Sequence, residues 1–235
     1  MDKFLIKGPC KVKGTVNISG SKNASLPILA ASILFDEMVE IKNLPNVRDI
    51  DTMLSLIKSL GFNVKQNKNS NSVVIKKSKK INTFASYSLV KTMRAGILVL
   101  GPLITKFGKA KTSLPGGCLI GARPINYHLN ALKKLGMNYK IEKGYVNAFA
   151  KSKLTGSNIF FPKISVGATE NAILAATLAN GKTILKNCAI EPEIKNDLTN
   201  FLNQAGAKIK WIGKRAVEIK GCLLYTSPSP RDGFT

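Results

Sequence analysis

Three times along the chain an amphipathic helix pattern ends in a glycine and passes at once into a strand pattern. The junctions are residues 57–64, 132–139 and 202–209, with the glycine at Gly61, Gly136 and Gly206. Glycine suits the left-handed residue just beyond a helix C-terminus, so each junction reads as a helix stop followed by a strand. The glycines stand 75 and 70 residues apart, a unit much longer than a solenoid repeat. Three copies of one mixed α/β unit are therefore expected.

Each copy carries a second helix of different character. Residues 24–34, 93–103 and 172–179 are apolar around the whole helical circumference, which implies burial on every side. The helices before the glycines have one apolar face instead. Ile50, Met53, Leu54, Ile57 and Leu60 form a single stripe, with Asp49 as the expected N-cap. Leu198, Phe201, Leu202 and Ala205 repeat that stripe in the third copy. Strand patterns fall at residues 12–18, 38–41, 73–75, 110–113, 145–150, 183–185 and 216–219. The expected fold class is α/β, with repeated βαβαββ units packed around three buried helices rather than a doubly wound sheet. Residues 222–235 continue no repeat and read as a disordered extension or foreign sequence.

Composition narrows the class. In 235 residues, 44% hydrophobic content supports a real core and excludes disorder. No apolar run approaches the ~18 residues of a membrane span. Met1-Asp2-Lys3-Phe4 does not open a signal peptide, so the expected compartment is the cytoplasm. Cys10, Cys118, Cys188 and Cys222 form no CxxC pair, so disulfides are not expected. Cys10 and Cys188 read as small buried hydrophobes. With His128 the single histidine, a His/Cys zinc site is not expected either.

Thirty-six Lys+Arg against 13 Asp+Glu give a net charge of +23, which first suggests nucleic acid. However, the lysines are scattered in ones and twos. The tightest cluster, Lys76-Lys77-Ser78-Lys79-Lys80, falls in an expected loop, and the 7% aromatic residues do not interleave with it. An anionic small molecule fits the charge better, as does a simple preference for lysine.

Two places suit chemistry on anions. Gly20-Ser21-Lys22-Asn23, Lys91-Thr92-Met93-Arg94 and Ser165-Val166-Gly167-Ala168-Thr169 precede or open the three buried helices. One such start is an ordinary cap; three convergent ones, two with Lys or Arg, make a phosphate or carboxylate cradle. The second place is the glycine-rich loop 114–124, where Arg123 near Cys118 would lower the thiol pKa. His128 stands ten residues beyond that cysteine, but a Cys/His dyad there lacks a third, orienting group.

Lys22-Asn23, the stretch Val90-Lys91-Thr92-Met93-Arg94-Ala95, the loop 114–124 and Ser165 through Asn171 together resemble an enolpyruvyl transferase family, the UDP-N-acetylglucosamine 1-carboxyvinyltransferases. The resemblance runs from Met1 to about Gly221. It implies an inside-out α/β barrel domain and transfer of the enolpyruvyl group of phosphoenolpyruvate to the 3′-hydroxyl of UDP-N-acetylglucosamine in peptidoglycan synthesis. Both substrates are the implied partners; no cofactor, metal, nucleic acid or membrane is expected.

Residue by residue, the resemblance gives Lys22 and Asn23 to phosphoenolpyruvate. Arg94, Arg123, Pro124, Ile125, Asn126 and Tyr127 go to the UDP-sugar, with Lys163, Ile164, Ser165 and Val166 around the uridine diphosphate. Cys118 becomes the proton donor and the site of alkylation by fosfomycin. Asn126-Tyr127 departs from the acidic-then-aliphatic pair of the family. The implied domains are residues 1–20 as opening strands of an incomplete second domain, 21–221 as the first domain, and 222–235 as a tail outside the family. The sister 5-enolpyruvylshikimate-3-phosphate synthases and, in another class, a basic nucleic-acid-binding module are the alternative readings.

Overall fold

In the computed structural model, which describes residues 3–115 and 125–225, the helix stops lie where the glycines put them. Gly61, Gly136 and Gly206 have φ of +91°, +107° and +88°, a region that side chains with a β-carbon avoid. The first unit runs α1 (Lys22–Ala31), β1 (Val39–Ile41), α2 (Arg48–Ser59), β2 (Phe62–Asn67) and β3 (Ser72–Lys77). The second runs β4 (Phe84–Ala85), α3 (Tyr87–Val90), α4 (Leu100–Phe107), β5 (Lys109–Ser113), α5 (Asn126–Lys134), β6 (Met137–Glu142) and β7 (Tyr145–Ala150). The third runs β8 (Asn158–Phe160), α6 (Val166–Ala176), β9 (Lys182–Lys186), α7 (Thr199–Gln204), β10 (Lys208–Gly213) and β11 (Ala216–Lys220).

Sheet topology shows the repetition directly. The second sheet has the order β4–β5–β7–β6 and the third β8–β9–β11–β10. In both, the first pair is parallel and the other two are antiparallel. The first sheet, β1–β3–β2, has the same antiparallel core and, among the described residues, no parallel fourth strand. The strand expected at 12–18 is not formed: Val12, Val16 and Ile18 are 80–95% exposed. An alternating pattern becomes a strand only where a neighbour supplies hydrogen bonds, and no described strand lies beside it. Conversely, β4 and β8 are too short for alternation to reveal them.

The three buried helices form the middle of the core. Every residue of α6 from Ala168 to Ala176 is buried, and α1 buries Ala24 through Pro27 and Leu29 through Ala31. The second buried helix, expected to be continuous over 93–103, is a 3-10 segment, Arg94–Val99, leading into α4. Pro102 explains the break, because it has no N–H to continue the ladder back to Leu98. Restarting the helix at Leu100 places the proline in a first turn, where that N–H has no partner to lose. The α2 stripe is buried as expected, with Ile50, Met53, Ile57 and Leu60 at 0–1% exposure. Its N-cap is Val47, however, and Asp49 lies inside the first turn.

Two further expectations change. Lys76 and Lys77 belong to β3, and Lys77 pairs with Asp36 at 2.6 Å. Residues 222–225, set apart in the sequence, hydrogen-bond to the third unit through Cys222 N–H to Thr177 O (3.0 Å) and Tyr225 N–H to Ala205 O (2.8 Å). No described helix is long and apolar enough to cross a membrane.

The helix stop after α2 gives a test of the packing. A β-carbon on Gly61 would lie 2.3 Å from the carbonyl oxygen of Lys80. Gly61→Ala is therefore expected to lower stability by about 2–3 kcal/mol in urea unfolding, because backbone strain and a backbone clash add. At Gly144, which has positive φ and nothing within 4 Å, alanine meets strain alone and should cost about 1 kcal/mol.

Candidate active site

Two helix starts repeat one local design. Ser21 caps α1 by accepting from Ala24 N–H, and Ser165 caps α6 by accepting from Ala168 N–H, both at 3.4 Å. The hydroxyl four residues beyond each cap, on Ser25 or Thr169, returns to the cap's own carbonyl at 2.8 Å. Serine caps satisfy one orphan N–H and leave others of the first turn open to a ligand. The third start, Met93 before the 3-10 segment, has no side-chain cap.

All three starts line one cleft of about 540 Å³. Lys22 and Asn23 come from α1, Met93, Arg94 and Ala95 from the 3-10 segment, and Ile164 through Gly167 from the start of α6. The convergence expected from sequence is thus present. Among the described residues the lining is richer in acids than the sequence suggested, with Asp49, Glu170, Glu191 and Glu193 against Lys22 and Arg94. Asp49 holds Lys22 in an ion pair, Oδ2 to Nζ at 3.0 Å, with both side chains partly exposed. That is where the supposed N-cap carboxylate goes. It fixes the ammonium at the mouth of the cleft without neutralising the helix ends.

Behind the wall, Asn171 joins three segments. Its Oδ1 accepts from Gly101 N–H at 2.8 Å, and its Nδ2 donates to Ile97 O at 3.1 Å. The Gly101 contact fixes the amide orientation, so Nδ2 is also the donor to His128 Nδ1 at 3.1 Å. His128 therefore carries its proton on Nε2. Burial, with a smaller contribution from Arg94, pushes its pKa down to about 4, leaving the imidazole neutral at physiological pH. A histidine held this way is a poor general base, which weighs against a Cys/His dyad.

Glu170 is the other unusual group. It is 5% exposed and sits five residues into α6. Burial pushes its carboxyl up to about 8, Glu191 and Glu193 add to the rise, and Arg94 opposes it. Sequence reasoning took Asp49 as a cap, included Glu170 only within the motif Ser165 through Asn171 without a role, and did not single out Glu191 or Glu193. The available signal was the polar triple Thr169-Glu170-Asn171 beside an otherwise apolar helix.

Of the other residues singled out, Ile164, Ser165 and Val166 line the cleft, whereas Lys163, Ile125, Asn126 and Tyr127 are not in its wall. Tyr127 and Ile125 pack against the core instead. Cys118, Arg123 and Pro124 lie outside the described residues. Cys188 is buried as expected, with its thiol pushed up to about 12 by burial, but Cys10 is exposed. Among the described residues, nothing covers the arm that carries Cys10. Among the described residues, no three His, Cys, Asp or Glu side chains are grouped to hold a metal ion.

Two βαβαββ units and a first unit with the same antiparallel core bring their inner helix starts to one cleft. The solved structures agree on the fold. An enolpyruvyl transferase, NikO from Streptomyces tendae, matches 91% of this chain with a TM-score of 0.76 at 19% identity, over 50% of its own length. An EPSP synthase from Acinetobacter baumannii matches 90% of this chain with a TM-score of 0.73 at 17% identity, over 48% of its own. The sequence profile of the EPSP synthase (3-phosphoshikimate 1-carboxyvinyltransferase) family matches residues 6–225, and the chain belongs to that family.

Within the family, similar relatives carry one name. UDP-N-acetylglucosamine 1-carboxyvinyltransferase of Pelagibacter ubique is 62% identical over 221 residues, and that of Pseudoalteromonas atlantica 52% identical over 221. Each alignment covers 94% of this chain and 52% of the relative. The chain thus spans about half the length of the curated relatives it matches.

Proposed function

We propose that this chain forms one wall of the active site of a UDP-N-acetylglucosamine 1-carboxyvinyltransferase, acting in cytoplasmic peptidoglycan synthesis. The observation that carries the reading is the convergence of Lys22, Arg94 and the capped start of α6 on one cleft, in a chain 62% identical to a relative of that name. The alternative sister activity draws on the family profile and on fold likeness at 17% identity, weaker support than a relative 62% identical over 94% of the chain.

In this reading the sugar's 3′-hydroxyl oxygen bonds to C2 of phosphoenolpyruvate while C3 takes a proton from the Cys118 thiol. The hydroxyl proton leaves to a base. The resulting tetrahedral ketal then expels phosphate as C3 gives up a proton, which restores the double bond in the enolpyruvyl ether. Lys22 and Asn23 hold the phosphate and carboxylate of phosphoenolpyruvate. Open amides at the start of α6, with Ser165 and Val166, face the diphosphate. Arg94 and Arg123 supply cations to the same anions, and Ile164 borders the nucleotide. Residues 124–127 and Lys163 are given to it by the resemblance alone, since Ile125, Asn126, Tyr127 and Lys163 stand outside the cleft wall. Charge stabilisation of this type acts most strongly in a closed site, so one wall alone is expected to bind these anions more readily than to turn them over.

Amide spectra of the chain test this reading. UDP-N-acetylglucosamine is expected to move the resonances of Ser165, Val166 and Gly167, while shikimate-3-phosphate and duplex RNA leave them in place. Larger shifts at these amides from shikimate-3-phosphate or RNA would overturn it.

A further inference from the structure

Around the start of α6, the buried polar side chains are accounted for, with one exception. Thr169 donates to Ser165 O and accepts from Ala189 N–H, and Asn171 is held by Gly101, Ile97 and His128. Glu170 lies between them in sequence, is 5% exposed and lines the cleft. Among the described residues its carboxyl makes no hydrogen bond or ion pair. The residue is largely buried, yet its carboxyl opens on the cleft rather than on a protein partner, which leaves it for whatever the cleft holds. Its surroundings do not favour a carboxylate. Glu191 and Glu193 face it, and Arg94 only partly offsets them.

We propose that Glu170 is a ligand-contacting specificity residue whose carboxylic O–H donates a hydrogen bond to a phosphate oxygen of the ligand at the start of α6. The proposal rests on the reading above for the identity of the ligand. A neutral acid can do what a carboxylate cannot, since it gives a proton-mediated contact to an anion without adding a like charge. The pKa of about 8 keeps it in the donor form at physiological pH. Of the charged and titratable groups around the cleft, Lys22 and Asp49 are paired across its mouth. His128, with a pKa near 4, does not change charge in the alkaline range. Loss of the Glu170 proton supplies an alkaline limb that Glu170→Gln removes, which separates it from any contribution of the Cys118 thiol.

The experiment measures affinity of the full chain for two diphosphate diesters, UDP-N-acetylglucosamine and ADP-ribose, by calorimetry from pH 6.5 to 9. Wild type, Glu170→Gln and Glu170→Ala are compared, with circular dichroism to confirm folding. Wild-type affinity should fall roughly tenfold between pH 7 and pH 9 as the donor is lost. Glu170→Gln, which keeps an N–H donor, should bind within about threefold of wild type at pH 7 and remain flat to pH 9. Glu170→Ala should bind roughly tenfold more weakly at pH 7.

A Glu170→Gln profile that keeps the wild-type fall, or a Glu170→Ala variant that binds like wild type, overturns the proposal while leaving the substrate assignment standing. Equal binding of both diesters with a Glu170-dependent limb keeps the proposal and overturns the substrate assignment. If neither diester binds, both fall.

Discussion

Replacing Asn171 with alanine is expected to cost about 4 kcal/mol of stability, the largest single loss on the inner side of the cleft. The side chain is fully buried and serves three segments at once, by bonds of 2.8–3.1 Å to Gly101, Ile97 and His128. Truncation leaves one N–H, one carbonyl and one imidazole nitrogen without partners in a site that α4, α5 and α6 close off. Each unpaired group costs about 1–3 kcal/mol. No small rearrangement can repair all three.

Close approach of the backbone adds a second handle on the same joint. A β-carbon on Gly101 would lie 2.2 Å from Asn171 Oδ1 and 2.6 Å from its carbonyl oxygen. Gly101→Ala must therefore push α4 away from α6, and its cost should overlap that of Asn171→Ala rather than add to it. Chemical unfolding of both single variants and the double variant measures this. A double variant whose loss equals the sum of the singles, or an Asn171→Ala loss below about 1 kcal/mol, would show that the network is not the joint between these helices. The imidazole nitrogen shifts of His128 provide a separate readout, because Nδ1 should lose its donor in Asn171→Ala.

The parts of this molecule that could be read from its sequence are those set by local backbone chemistry. Gly61, Gly136 and Gly206 announce helix ends because a positive φ is needed there whatever surrounds them. The one-faced stripe of α2 and the all-apolar inner helices differ in period and composition alone, and both survive into the fold. Decisions made across space were not legible. Asp49 has the chemistry of a cap, and only the position of Lys22 shows that it serves an ion pair instead. Residues 12–18 have strand composition, but whether they pair depends on a neighbour.

Glu170 illustrates the same limit at the site. A glutamate near the start of a helix normally reads as a favourable charge on the helix dipole. It is the burial contributed by the rest of the fold, together with Glu191 and Glu193, that makes it an acid instead. The three convergent starts were recognisable because each carried its own polar signature. The carboxylates opposite them belong to segments whose approach no local pattern encodes.

Glu170→Gln is expected to raise stability at pH 8 by up to about 5 kcal/mol, while at pH 4.5 it should change little. In the folded chain this carboxyl titrates near 8 instead of its ordinary 4.5. Between those values the unfolded chain has lost the proton and the folded chain retains it, so stability falls as pH rises, by about 1.4 kcal/mol for each pH unit. His128 runs the other way, with a pKa near 4 in the folded chain against 6.5 ordinarily. Between those values the unfolded chain holds the extra proton, so stability rises with pH at the same rate. From pH 4.5 to 6.5 the two slopes cancel, and the wild type should show a plateau there. Above 6.5 only the Glu170 slope remains, giving a further loss of about 2 kcal/mol by pH 8. Asp36, held low by Lys106 and Lys77, acts below this window, and Cys188, near 12, acts above it. In Glu170→Gln the plateau should become a rise of about 3 kcal/mol from pH 4 to 6.5, followed by a flat region. Urea unfolding at half-unit steps from pH 4 to 8.5 resolves the two shapes. Parallel curves for wild type and Glu170→Gln would mean that Glu170 is ionised in the folded chain, and the cancellation, the plateau and the donor role would fail together.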